Sequence, residues 1–210
     1  MYVPKHFEES DLATLHALIK AHPLGAWVIR SGDDLVADHI PFLIDASRGA
    51  HGTLVGHVAR ANPVWKSFSG TTSSLVIFQG AESYITPSWY PSKHQHGKAV
   101  PTWNYAVVHA YGLPVVRDDR AWMAQFLNQL TNEHEAANAL PWKVSDAPQE
   151  YTERLMQEIV GIEIPIARLV GKWKVHQHRP KADKLGVVAG LLGLGDEKSA
   201  AMAALVQKHV

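Results

Sequence analysis

Cysteine is absent from the 210-residue chain. That excludes disulfides, thiolate metal sites and cysteine nucleophiles. It is compatible with a reducing compartment, and a cytoplasmic location is the expectation. Charge of one sign is also lacking, since 20 Lys and Arg balance 20 Asp and Glu. No global field draws the chain towards nucleic acid or an anionic membrane, so DNA contact is only weakly supported and needs a local basic patch. The longest apolar run, LGVVAGLLGLG at 185–195, is too short and too rich in glycine to span a bilayer. The N-terminus MYVPKHFEES has no apolar signal-peptide core. No membrane partner is expected. A G-x-S-x-G elbow, a Walker A loop, a dinucleotide glycine fingerprint and an H-E-x-x-H pair are all missing, which removes support for the common hydrolase and nucleotide readings.

What is present is a chain with 46% apolar and 19% charged residues, ordinary for a globular protein. Its length suits one domain, or one domain with a small appendage. Ser10 is the expected N-cap and Asp11 suits the first turn of a helix in which Leu12, Leu15, Leu18 and Ile19 recur at helical spacing, and His22-Pro23 closes that helix. The period then changes. GAWVIR (25–30), LVADHIPFLID (35–45), HGTLVGHV (51–58) and SSLVIFQG (73–80) read as strands with turn material between them. TWNYAVVHAYGLPVV (102–116) reads as a long strand, with Asn104 and Ala106 on one face and Trp103 and Tyr105 on the other. Helices are expected from Asp118 to about Ala137 and over 147–161. One or two strands follow at 162–179, and two short helices at 181–192 and 197–208 close the chain. Strands followed by helices indicate an α+β protein with a β-barrel or a sharply curled sheet. The expected division is 1–178 for the barrel domain and 179–210 for a helical hairpin packed on it.

Four stretches draw functional interest. GHVARANPVW (56–65) sets His57, Arg60 and Asn62 just past a strand end, where an arginine fork suits a phosphate and an ordinary surface turn would read alike. SYITPSWYPSKHQHGKAVPTWNYAVVHAYG (83–112) mixes aromatics with hydroxyls and cations. Trp103 and Tyr105 share a strand face, a wall for a flat ring or simply core. Lys93, His94, His96 and Lys98 make the intervening loop cationic. His94-x-His96 supplies two metal ligands with no carboxylate nearby, so no metal is expected. GKWKVHQHR (171–179) would line up Lys172, Lys174, His176 and His178, an exposed face or an anion site. The C-terminal hairpin has a GLGD turn like a DNA-reading motif, but few side chains able to read bases.

MYVPKHF, HIPFLI, GHVARANPVW, SYITPSWY, VPTWNYAVVHAYG and IVGIEIPIARLVGKWKVHQHR occur in that order from Met1 to about Leu192. Together they resemble the PaiB family of FMN-binding negative transcriptional regulators. The resemblance implies an antiparallel split β-barrel like that of the pyridoxamine 5′-phosphate oxidase group, with flanking helices. It also implies a homodimer with FMN in a cleft at the subunit interface, and a role in repressing genes. On that footing Trp89, Trp103 and Tyr105 are candidates to wall the ring, and Thr102 and Asn104 to bond its edge. His57, Arg60, Lys93 and Lys172 are candidates for the phosphate, with Asn62 and Gln177 in the same matching strings. The family reads close to K-L-S-Q-N-R where this chain has Lys174-Val175-His176-Gln177-His178-Arg179, so that His176 and His178 stand where the family has Ser and Asn. An FMN-dependent oxidoreductase acting on a small molecule is the alternative, with its flavin supplying the redox chemistry. A haem-binding split barrel, using imidazole, is a further and weaker one. Family resemblance speaks to fold more strongly than to activity.

Overall fold

The computed structural model describes residues 1–68, 70 and 72–210, and of His96 the backbone alone. The first strand, β1 (Glu8–Glu9), leads into α1 (Leu12–Ala21). A run of strands follows: β2 (Leu24–Ser31), β3 (Asp34–Pro41), β4 (Leu43–Asp45), β5 (Thr53–Ala59) and β6 (Ser74–Ile85). The short α2 (Lys93–His96) precedes β7 (Thr102–Gly112) and β8 (Val115–Arg117). Then come α3 (Arg120–Glu135), α4 (Gln149–Gln157), β9 (Ile159–Lys174), α5 (Lys181–Leu192) and α6 (Glu197–Gln207). The nine-stranded sheet runs β3-β2-β6-β7-β9-β5-β4, with β1 and β8 also pairing on β9. The α+β class expected from the sequence is the one observed.

Several boundaries differ from the sequence reading, each for a local reason. Asp11, not Ser10, caps α1, its carboxylate accepting from the Thr14 N–H at 2.8 Å and the Thr14 hydroxyl at 2.6 Å. The strand expected over 35–45 is two, because Phe42 leaves the ladder and donates its N–H to the Pro23 carbonyl at 2.9 Å. The strand expected over 102–116 stops at Gly112 before Leu113-Pro114, where proline removes a donor. The helix expected to reach Gly161 ends at Gln157, since Ile159 to Pro165 pair in register with β5.

The chain divides into two units, and β6, β7 and β9 pass through both. One unit comprises Met1–His22, Phe78–His109 and Val170–Val210. Its buried side chains include Leu15, Ile19, Phe78, Ile85, Tyr90, Val108, Trp173, Val187 and Met202. Glu8 and Glu9 pair with Lys172 and Gly171. Helix α5 is fixed to the segment before α2 by two means. The buried Asp183 carboxylate accepts from the Ser92 N–H at 3.0 Å and the Ser92 hydroxyl at 2.7 Å. A Cβ on Gly190 would lie 2.3 Å from the Trp89 ring, so only glycine lets that ring lie on the helix.

The other unit comprises Pro23–Ile77 and Ala110–Leu169. Trp27, Ile29, Ile40, Phe42, Leu54, Val76, Ile162 and Ile164 form its buried interior. Leu43, Met123 and Phe126 make a buried cluster, with Trp122, Leu127 and Met156 packed on it. Gly161 has the same function as Gly190: a Cβ there would fall 2.1 Å from the Trp122 ring. Among the described residues no helix is long and apolar enough to cross a membrane.

Candidate functional site

Alternation along β7 sends Thr102, Asn104 and Ala106 one way and Trp103 and Tyr105 the other. Asn104 is fully buried, while Trp103 is 52% exposed. In the same unit, Lys174 at the end of β9 donates from Nζ to Thr102 Oγ1 at 2.6 Å. The strand stops there, and His176 adopts a φ of 68°. That left-handed backbone is uncommon for a residue with a Cβ and needs support from its surroundings. Support comes from Gln177, whose side chain accepts from the Val175 N–H and donates to the Trp173 carbonyl, and from the Arg179 N–H on the His176 carbonyl.

His176 is buried, with both ring nitrogens engaged. Nε2 lies 2.7 Å from the Tyr90 hydroxyl, and Nδ1 lies 2.8 Å from Asn104 Oδ1. Burial, followed by the positive charge of Arg179 and the neighbouring His178 and Lys174, pushes the imidazole down to about 4. The ring is therefore neutral at pH 7. With Asn104 Oδ1 accepting, its one proton sits on Nδ1, and Nε2 accepts from Tyr90.

This arrangement leaves Asn104 Nδ2 buried without a hydrogen-bond partner. Such a donor costs roughly 1–3 kcal/mol unless something satisfies it. Asn104 lines a cavity of about 260 Å³ together with Thr102, Lys174, His176, His178 and Arg179. Among the described residues no carboxylate lines it. Burial lowers His178 as well, with Arg179 and His6 adding to the effect, so Lys174 and Arg179 carry the positive charge. A donor without a partner, a hydroxyl and two cations complement a ligand that has hydrogen-bond acceptors and a negative charge.

Thr102 and Asn104 thus come together with Lys174, which the sequence places on a candidate anion-binding face, and with Arg179, which was not among the sequence candidates. The remaining candidates lie elsewhere. Trp103 meets Tyr84 edge-on at 6.1 Å, and Lys172 sits 5.2 Å from the Tyr105 ring while donating to the Tyr2 carbonyl. Trp89 packs on α5, and Lys93 opens α2 with an exposed side chain. The side chain of His96 in the His94-x-His96 pair lies outside the described residues. His57, Arg60 and Asn62 belong to the other unit. There Arg60 binds Asp118 through two nitrogens, at 3.0 and 2.6 Å, and the carbonyls of Gln157 and Ile159. Asn62 caps a short helical turn by accepting from the Val64 N–H. His57 Nδ1 is buried without a partner, and burial lowers its pKa. Gln177 is used at both ends by the turn it holds. Sequence reading passed over Tyr90 because it lies 86 residues from His176. It left His176 on a strand face that was either exposed or an anion site, because the positive φ that turns it inward has no glycine to announce it.

The chain belongs to a family described as "Putative FMN-binding domain", whose model matches residues 1–168. An uncharacterized protein of Emericella nidulans is 33% identical, covering 100% of this chain and 97% of its own length. The protease synthase and sporulation protein PAI 2 of Bacillus subtilis is 27% identical, covering 99% of this chain and 97% of its own length. The flavocytochrome Anf3 of Azotobacter vinelandii has a similar fold, with a TM-score of 0.59 at 12% identity over 82% of this chain and 72% of that one. The fold is accordingly an antiparallel split β-barrel with flanking helices. The family's cofactor is FMN, and the sequence resemblance to PaiB holds.

Proposed function

We propose that this protein is a PaiB-like negative transcriptional regulator that binds FMN and acts as a cytoplasmic homodimer. On this reading residues 1–178 form the flavin-binding domain, and 179–210 form a helical hairpin packed on it. The flavin occupies a cleft at the subunit interface. The observation that carries the flavin site is the buried Asn104 amide without a partner, in a cavity that also presents Thr102, Lys174 and Arg179. FMN offers ring carbonyls to the amide and hydroxyl, and a phosphate to the cations. When bound, FMN supplies a redox-active ring. The chain's own residues do the rest. Tyr90 and the neutral His176 hold Asn104 in one orientation, so its Nδ2–H is aimed before any ligand arrives. Lys174 is held by Thr102 in the same way.

Regulation then rests on the dimer contacting DNA or a protein partner. The balanced net charge favours a partner over strong direct DNA contact. The test is FMN titration of the purified protein by visible absorbance and calorimetry, with mass measurement in solution. Saturable FMN binding by a dimer, weakened about tenfold or more by Asn104→Ala and Lys174→Ala, is expected. A colourless protein that stays colourless with added FMN overturns the reading. Turnover of reduced nicotinamide, without any shift of promoter DNA in the presence of cell extract, would replace the regulator with an oxidoreductase.

A further inference from the structure

A cavity of about 450 Å³ lies in the other unit and involves none of the flavin candidates. At its back stands Glu163, whose side chain is 2% exposed. Arg48 reaches both its oxygens, at 2.6 and 2.9 Å. Arg117 binds Oε2 through Nε at 2.8 Å and Nη2 at 2.7 Å. The Trp122 indole N–H donates to Oε1 at 3.2 Å. Each guanidinium has five N–H groups and spends two on this carboxylate, so both retain donors. Their side chains are 43% and 44% exposed, with Glu163 fixing where the forks sit.

Asp45 also lines the cavity. Ser47 donates to its Oδ1 through N–H and hydroxyl, at 3.0 and 2.6 Å, and the charge of Arg48 also acts on the carboxylate, while no hydrogen bond to Oδ2 occurs among the described residues. The four charged groups therefore balance, two cations against two carboxylates. A net-charged ligand gains nothing from the sum, whereas one carrying both signs can meet the free guanidinium donors and the free Asp45 oxygen together. The remaining wall is mixed: Gln125 and Gln129 are polar, and Leu43, Val55 and the Trp122 and Phe126 rings, stacked at 5.3 Å, form its apolar part.

We propose that this cavity binds a small zwitterion with an apolar body, the chemistry of a free amino acid with an apolar side chain. The carboxylate meets Arg48 and Arg117, the ammonium meets Asp45, and the side chain lies along Trp122 and Phe126.

The test uses the full chain labelled with ¹⁵N and titrated with L-phenylalanine. The readouts are calorimetry and the Trp122 indole N–H signal, assigned through Trp122→Phe. Saturable binding that shifts this signal is expected. Phenylpropanoate, which lacks the ammonium, and phenylalaninamide, which lacks the carboxylate, should each bind about tenfold or more weakly, as loss of one charge-assisted contact implies. Asp45→Asn should weaken phenylalanine to a similar degree, and Val55→Phe, which fills the space without touching a charge, should abolish binding. No saturable binding up to about 10 mM, a level at which affinity has no meaning for recognition, would overturn the proposal. So would equal binding of either one-charge analogue, unchanged affinity in both variants while they remain folded, or displacement of phenylalanine by equimolar FMN.

Discussion

Replacing Glu163 by Gln tests how much of one unit rests on a single buried carboxylate. In the native chain its two oxygens receive five donors, from Arg48, Arg117 and Trp122. The hydrogen bonds from Arg48 lead, and together with Arg117 they overcome the cost of burial and hold the carboxyl at about 2, against an ordinary 4.5. That difference corresponds to roughly 3 kcal/mol between the two protonation states. The guanidinium heads are part-exposed, and water screens them, so about 3 kcal/mol is an upper figure for the charge itself. Because the folded pKa is depressed, the stabilisation is complete above about pH 4.5 and fades as pH falls towards about 2. Glu163→Gln keeps the shape, removes the charge and turns an amide N–H towards two cations. Urea unfolding of both proteins at several pH values is the assay. The variant should be less stable by about 2–3 kcal/mol at pH 7, with the gap closing between pH 4.5 and 2. A gap that does not change with pH would show that the loss is one of packing, and the charge argument would fail.

His176 should behave as a neutral ring. Its depressed pKa means the unfolded chain takes up a proton that the folded chain refuses, so its contribution is complete above about pH 6.5 and is lost as pH falls to about 4. NMR of the ring carbon should show no titration above about pH 5.5, and a midpoint near 6.5 would refute the burial argument. Tyr90→Phe leaves Nε2 without its donor and should cost about 1–2 kcal/mol in urea unfolding; no change would mean water replaces the hydroxyl. Gly190→Ala puts a Cβ 2.3 Å from the Trp89 ring and should destabilise by about 2 kcal/mol or more, with altered near-ultraviolet circular dichroism. Arg60→Ala discriminates two roles: a greater loss of FMN than of riboflavin affinity makes Arg60 a phosphate ligand. Equal losses with lower stability, which its bonds to Asp118, Gln157 and Ile159 favour, make it structural.

Part of the candidate site was legible along the chain. Thr102 and Asn104 share a face because strand alternation is strictly local, and the same rule separates them from Trp103 and Tyr105. The amphipathic helices and the change of period after Pro23 were equally local signals. Lys174, His176 and His178 do line one cavity, as a two-residue spacing suggests, although the strand ends at Lys174. What failed was the reading of His176 as exposed. Only the Tyr90 and Asn104 contacts, 86 and 72 residues away, explain why its backbone turns and its ring goes inward.

Composition, spacing and order alone determined that this chain has no thiol chemistry, forms an α+β fold and resembles a flavin-binding family. Those properties depend on residue type and on neighbours within a few positions. Tertiary structure alone decided which polar groups meet. A buried glutamate among isoleucines at 162–164 looks like an interruption until Arg48 and Arg117 arrive from other parts of the chain. An asparagine on a strand looks ordinary until every partner but one is accounted for. Hydrogen bonding and charge act through distance in space, and the distances that matter here join residues that the sequence keeps far apart.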